Sequence, residues 1–251
     1  MTRPPPLGYT KLEQRGRGQL NERAPGFYGT YASHKGYTTP EVGPKQIRRF
    51  DAEIWRPAAC GSAMSFLEIG CGTGAFLAYL RAKGVQRQWG IDHDPALATV
   101  IPEAVRDRFS CRDAHELLAD AAQGPFDRVV LLDVLEHFSP EDACHLLQSI
   151  RGRLAPGGKV VVKVPNAGSP WGLPYQYGDL THRTAFSPIS LRQLADAAGY
   201  GAPLVYAQRQ GSRRRMVTDA LVHRFLSWAL LTPPEFWSAN LYAVFPMRAE
   251  P

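Results

Sequence analysis

The chain has 251 residues, with 29 basic and 23 acidic side chains for a net charge of +6, and 44% of it is hydrophobic. That length suits one large domain with extensions, and the apolar share is enough for a real core. No apolar run reaches the roughly 18 residues of a membrane span, and the opening Met1-Thr-Arg-Pro-Pro-Pro lacks the apolar stretch of a signal peptide, so neither is expected.

Residues 1–26, rich in Pro, Gly, Arg and Gln, read as a loose N-terminal arm. Residues 27–58 carry Phe27, Tyr28, Tyr31, Tyr37, Phe50 and Trp55, with a helix predicted over 46–55. Six aromatics there imply packing, as a lid over a site or as a cap on the core, and the stretch Tyr28–Tyr37 is predicted to close over the site. From residue 59 a single domain is expected. It begins with a buried strand at 65–69, a glycine loop at 70–74 and a helix at 75–83 that Gly84 stops. A strand at 88–91 ends in Asp92, 95–108 is at least partly helical, and 109–111 is a short strand. A strand at 126–132, a helix at 140–154, a turn at 156–158 and a strand at 159–164 follow. Such apolar strands between helices indicate a parallel sheet covered on both faces. A loop of about 165–187 precedes a helix that Ser187 and Pro188 open and Gly199 ends. A strand at 205–208, a helical insertion at about 212–232 with Val217, Leu221, Phe225 and Ala229 in helical spacing, and a strand at 241–245 complete the chain.

Chemistry concentrates in Glu68-Ile69-Gly70-Cys71-Gly72-Thr73-Gly74. Glycines permit a tight turn and close approach of a ligand, and the following helix start offers N–H groups. Asp92, ending the next strand, is placed to accept the ribose hydroxyls of an adenosine. Gly70, Gly72 and Ala75 also satisfy the dinucleotide pattern G-x-G-x-x-G/A. Two acids weigh against a nicotinamide cofactor. Glu68 would face a pyrophosphate, whereas a ligand ammonium gives it a purpose, and Asp113 stands where it can accept from an adenine amino group. The cysteines, Cys60, Cys71, Cys111 and Cys144, show no C-x-x-C spacing, so no metal site and no disulfide framework is expected, and reduced thiols in a cytoplasm are the simple reading.

In these motifs the sequence resembles class I S-adenosylmethionine-dependent methyltransferases. Glu68-x-Gly70-x-Gly72-x-Gly74, Gly90-Ile91-Asp92, Arg112-Asp113-Ala114, Asp133-Val134-Leu135-Glu136-His137 and Leu154-Ala155-Pro156-Gly157-Gly158 stand in the family's order. The resemblance spans about residues 60–200. It implies a Rossmann-like doubly wound α/β fold of seven strands with an antiparallel last hairpin. It also implies S-adenosyl-L-methionine as cofactor, with S-adenosyl-L-homocysteine as product. Gly70, Cys71, Gly72 and Gly74 would form the loop, with Glu68 near the methionine ammonium and Asp92 on the ribose. Asp113 and Ala114 would lie by the adenine, and Asp133, Val134 and Leu135 along the methionine side. His93 either packs on the adenosine or lies on the surface.

The acceptor side is carried by Val164-Pro165-Asn166 through Trp171, then Tyr177-Gly178-Asp179-Leu180-Thr181-His182-Arg183 through Ser187. This stretch resembles methyltransferases of bacterial polysaccharide and sugar tailoring, and implies a sugar, sugar nucleotide or glycan end as acceptor. Trp171, Tyr175 and Tyr177 suit sugar faces, Arg183 suits a phosphate, and Tyr28, Tyr31, Tyr37 and Asn166 join them as candidate substrate residues. A hydroxyl acceptor needs a base, for which His137 and His182 compete; an amine acceptor would not. A metal-dependent reaction could assemble Asp133, Glu136, Asp179 and Asn166, but the spacing does not demand it. Nucleic acid is not expected, because Asp133-Val134-Leu135-Glu136 stands where base-amino methyltransferases carry [DN]-P-P-[YF]. A non-catalytic cofactor-binding subunit is the reading from another class. A cytoplasmic monomer or homodimer is expected.

Overall fold

A computed structural model describes residues 36–120, 124–209 and 211–248. The expected arm, nearly all of the predicted lid at 28–37, and the candidate substrate residues Tyr28 and Tyr31 lie outside the described residues. Seven strands form one sheet: β1 Phe66–Ile69, β2 Gln88–Asp92, β3 Phe109–Cys111, β4 Phe126–Leu132, β5 Leu154–Pro165, β6 Leu204–Ala207 and β7 Asn240–Pro246. Their order is β3-β2-β1-β4-β5-β7-β6. The first five are parallel, and β7 runs antiparallel to both neighbours. The chain winds outward from β1 to β3, then restarts on the other side of β1 with β4. The carboxyl ends of β1 and β4 therefore flank a crevice where the winding reverses, the place such sheets bind ligands.

Helices flank the sheet: α1 Pro44–Phe50, α2 Ala75–Ala82, α3 Ala114–Ala119, α4 Pro140–Arg151, α5 Leu173–Tyr177 and α6 Pro188–Ala197, while α7 Arg213–Ala229 buries no described side chain. Alternate strand residues feed two cores. Leu67, Ile69, Val160 and Val162 pack with Leu146 and Ile150 of α4 and Leu191 and Ala195 of α6. Phe66, Val130 and Val161 pack on the other face with Phe50, Ile54, Phe76 and Tyr79. The aromatic segment around α1 is thus a cap on the core over residues 44–58. It continues as a π-helical turn, Asp51–Trp55, and Trp55 stacks on Phe66 with ring centroids 6.2 Å apart. Arg128 ties the segment down, donating from Nε to the Ala58 carbonyl at 2.8 Å and from Nη2 to that of Ala59 at 2.9 Å.

Three local expectations are corrected. The helix predicted to reach residue 154 ends at Arg151, because Leu154 pairs with Phe126 and already opens β5. The Pro156-Gly157-Gly158 turn is absorbed into β5 as an irregularity, after which Arg128 pairs with Lys159. α3 stands where no helix was predicted; its six residues are too few to show a period, but Asp113 caps it, accepting from His115 N at 2.7 Å. Elsewhere local chemistry matches structure. Ser187 and Ser190 form a reciprocal capping box at the start of α6. α7 forms as its spacing predicts, yet Val217, Leu221 and Phe225 remain exposed on it.

Candidate active site

The crevice is built by the loop between β1 and α2. Gly70 N and Cys71 N both donate to the Ile91 carbonyl, at 2.9 and 3.0 Å, which folds the loop back over β2. Gly70 has φ +69°, and a Cβ there would lie 2.5 Å from Val134 Cγ2. Only glycine meets both demands. Gly74, at φ +79°, opens α2 in the same left-handed conformation. Asp92 holds the loop from below: Oδ2 accepts from Gly72 N at 3.0 Å and Oδ1 from Asp94 N at 3.1 Å. Its carboxylate is therefore fixed before any ligand arrives. His93 beside it is mostly solvent-exposed, its Nδ1 3.5 Å from Asp92 Oδ1. Cys71 is buried, and its thiol is held protonated by burial and by the acids at 68 and 92. Asp113 spends Oδ1 on capping α3, with Ala114 the first residue of that helix.

Glu68 is buried within β1, and its Oε2 has no hydrogen-bond partner. Burial, and secondarily the Asp92 carboxylate, push its carboxyl well above the ordinary range. A buried acid beside a second acid, with an oxygen left unsatisfied, is costly unless a cation comes to it. The ammonium of S-adenosylmethionine would be such a cation, so the residues present fit this cofactor: a buried acid in want of a cation, a second carboxylate held in place, and a loop cleared of side chains between them.

At the end of β4 the chain turns sharply. Asp133 adopts φ +58°, its N donates to the Lys163 carbonyl at 3.0 Å, and its Oδ2 accepts from Lys163 Nζ at 2.5 Å. Aspartate tolerates this left-handed conformation better than most residues. The turn sends Val134 against Gly70 and starts a single 3₁₀ turn, Leu135–His137. Leu135 is buried in the core.

The long loop after β5 closes over that turn. Arg183 N and Thr184 N both donate to the Glu136 carbonyl, at 2.7 and 3.1 Å, and Thr184 Oγ1 donates to that of Phe138 at 2.6 Å. These bonds bring the two candidate bases together: the His137 and His182 rings meet edge to face, centroids 4.7 Å apart. Each histidine is oriented. His182 Nδ1 lies 2.9 Å from the Gln176 carbonyl, which can only accept, so Nδ1 carries the hydrogen. Thr181 Oγ1 donates to Asp179 Oδ1 at 2.5 Å, and so accepts from His137 Nδ1 at 3.0 Å. A neutral ring so oriented carries its lone pair on Nε2, and His182 Nε2 also lies 3.9 Å from Asp179 Oδ2. Between them Glu136 is fully buried, with Oε1 4.0 Å from His182 Nε2 and no hydrogen-bond partner on either carboxylate oxygen. Burial, then the nearby Asp133 carboxylate, hold its carboxyl well above the usual range.

The candidate substrate residues divide. Asn166 is turned inward: it is fully buried, its Nδ2 donates to the Phe236 and Ser238 carbonyls at 2.9 Å each, and its Oδ1 accepts from Gly168 N. It shapes the loop and presents nothing to an acceptor. Trp171 is also drawn away, donating from Nε1 to His223 Nε2 of α7 at 2.9 Å. Tyr175 and Tyr177 are exposed, Tyr37 is half-buried, and Arg183 is exposed with Nη1 3.7 Å from Asp142 Oδ2. Sequence reasoning did not single out Lys163, Gln176 or Thr181, which set the conformations of the acidic turn and of both histidines. Thr181 lay inside the recognised loop motif, but its role depends on a contact across the fold.

A family model described as a methyltransferase domain matches residues 44–202, more than half of the chain, and the chain belongs to that family. Its fold is the class I methyltransferase fold. It is similar to a SAM-dependent methyltransferase from Archaeoglobus fulgidus, at 17% identity and a TM-score of 0.62 over 87% of this chain and 99% of that one. It is also similar to the N-methyltransferase NodS from Bradyrhizobium japonicum (17% identity, TM-score 0.55, 83% and 100% covered). A third is the magnesium protoporphyrin IX methyltransferase from Synechocystis, solved with bound SAH (14% identity, TM-score 0.55, 88% and 95% covered). No curated protein matches the sequence. The protein is a methyltransferase.

Proposed function

We propose that this enzyme transfers the methyl group of S-adenosylmethionine to a hydroxyl of a sugar, sugar nucleotide or glycan end. The observation that carries the hydroxyl assignment is the pair of oriented histidines, His137 and His182, set beside the turn that packs on Gly70. When bound, S-adenosylmethionine supplies a methyl on a sulfonium, whose bonding pair stays on sulfur as the acceptor oxygen takes the methyl. Glu68 receives the ammonium, Asp92 the ribose hydroxyls, and Asp113 with Ala114 borders the adenine. Asp133 and Val134 line the methionine side, Leu135, expected there too, instead backs them from the core, and His93 edges the adenosine. A histidine Nε2 takes the hydroxyl proton; Asp179, through Thr181, stabilises the charge this places on His137. Tyr175, Tyr177 and Arg183 belong to the acceptor side, where the loop motif supports a saccharide and Arg183 a phosphate. Among the described residues no helix is long and apolar enough to cross a membrane.

The test pairs binding with turnover. Calorimetric titration with S-adenosylmethionine, S-adenosylhomocysteine and NAD, with Asp92→Ala as control, should show the adenosyl compounds alone binding and the variant losing them. Sugar nucleotides should then accept methyl groups, with His137→Ala and His182→Ala each lowering turnover about 10²–10⁴-fold while cofactor affinity holds. Near wild-type turnover in both variants, or transfer confined to amine acceptors, would overturn the hydroxyl assignment.

A further inference from the structure

The base reading leaves one feature unexplained. A proton acceptor needs one histidine and a partner, yet here two histidines and a carboxylate converge. Among the described residues, Glu136, His137 and His182 each place one ligand atom within 4.8 Å of the others. The carboxylate is fully buried, and neither oxygen has a hydrogen-bond partner. Native structures rarely leave both oxygens of a buried acid unsatisfied, because desolvating them costs about 1–3 kcal/mol or more each. The two imidazoles are held in one tautomer by groups outside the cluster. Gln176 O takes the His182 Nδ1 hydrogen, and Asp179 acting through Thr181 takes that of His137. That is the outer-shell arrangement metal-ligating histidines show: a carbonyl or carboxylate behind the ring, the lone pair in front.

We propose that Glu136, His137 and His182 bind a divalent transition-metal cation with two imidazole nitrogens and one carboxylate. The proposal rests on the placement of this cluster on the acceptor side of the methyltransferase crevice, and it revises the sequence-based expectation of no metal. Imidazole donors favour zinc, iron or cobalt over magnesium or calcium, which prefer oxygen. Metal–nitrogen and metal–oxygen bonds of about 2.0–2.2 Å put neighbouring ligand atoms roughly 3–3.5 Å apart, so the side chains close inward by a few tenths of an ångström to about 1 Å on binding. Three protein ligands leave coordination positions for the acceptor, and two adjacent oxygens of a saccharide would occupy them. With the cation bound, an acceptor hydroxyl on it ionises more readily and releases its proton to solvent, because the two imidazole nitrogens then hold the metal; in the metal-free protein the same nitrogens remain the base. The cation also supplies the positive charge that the buried carboxylate otherwise lacks.

The test reads the metal directly. The full-length protein, stripped with chelator, is titrated with cobalt(II) chloride and followed by visible ligand-field absorption. Zinc content after dialysis is measured in parallel. One equivalent of cobalt should bind, with imidazole-type bands. Glu136→Gln and His182→Gln should each weaken binding at least 100-fold while S-adenosylhomocysteine affinity stays within about twofold, which shows the variants folded. No cobalt binding by the wild type, or binding that both variants retain, overturns the proposal. Stoichiometric binding lost in the variants, with no methyl transfer to any hydroxyl compound, upholds the metal site and instead removes the hydroxyl assignment.

Discussion

At the residue scale, Glu68 shows how a buried charge ties stability to ligand binding. Its carboxyl is pushed up from an ordinary value of 4.5, so in the folded protein it keeps its proton to higher pH than in the unfolded chain. As pH rises from about 4.5 through the folded-state value, the unfolded chain has released that proton and the folded one has not, so stability falls across that window. Glu68→Gln removes the titration. The ligand-free variant should melt higher than wild type at pH 8, and the difference should shrink toward pH 4.5. Binding should suffer in the opposite sense: losing a charge-assisted bond worth about 1.5–3 kcal/mol weakens S-adenosylmethionine roughly 10- to 150-fold. Melts at both pH values with and without ligand check this; a variant that gains stability yet binds like wild type would remove Glu68 from the site. Glu68 could be read from sequence because an acid two places before a glycine loop is chemically odd wherever it lies. Its neighbour in energy, Asp92, could be read only as a strand end. That Asp92 props the loop through Gly72 N depends on β1 and β2 lying side by side.

At the element scale, the acceptor side arises where the loop after β5 crosses the turn after β4. Both segments were visible in the sequence as motifs, and both histidines were candidates, but as rivals. Their meeting is produced by backbone bonds from residues 183 and 184 to Glu136, which no periodicity reports. For the same reason Asn166, polar and next to the motif, looked like a substrate residue but proves to be a buried clamp. Thr181 is the sharpest probe of the crossing. Thr181→Val keeps the shape and leaves Asp179 Oδ1 its bond from the backbone N of residue 181, while cutting the link to His137. Losing such an outer-shell partner costs about 10–100-fold. Turnover should fall by that factor with cofactor affinity and melting temperature nearly unchanged, and Thr181→Ser should restore most of it. A parallel loss of cofactor affinity would mean that Thr181 only holds the loop.

At the scale of the whole molecule, periodicity alone leaves one segment open and misplaces another. The aromatic stretch before the domain allowed a lid or a cap, whereas Val217, Leu221 and Phe225 have the spacing of a buried helix face. In the structure residues 44–58 supply core side chains and α7 supplies none. The match to the family model likewise begins at residue 44, within this segment. Phe50 lies against Phe76 and Tyr79, with centroids 5.3 and 5.0 Å away, and is buried. Tyr79 OH in turn donates to Asp51 Oδ1 at 2.7 Å, and Tyr242 OH donates to Glu53 Oε2 at 2.8 Å, so polar bonds flank the apolar contact. Truncating such a ring leaves a cavity costing about 3–5 kcal/mol. In a domain of this size each kcal/mol lowers the melting temperature by about 2–4 °C, so Phe50→Ala should lose roughly 6–20 °C. Leu221 is 64% exposed on α7. Leu221→Ala deletes nearly as apolar a side chain, but it should change stability by no more than about 0.5 kcal/mol. Thermal melts of the two variants side by side separate burial from pattern. Equal losses would show that α7 contributes to the core after all, and an unshifted Phe50→Ala would show that the domain begins after this segment.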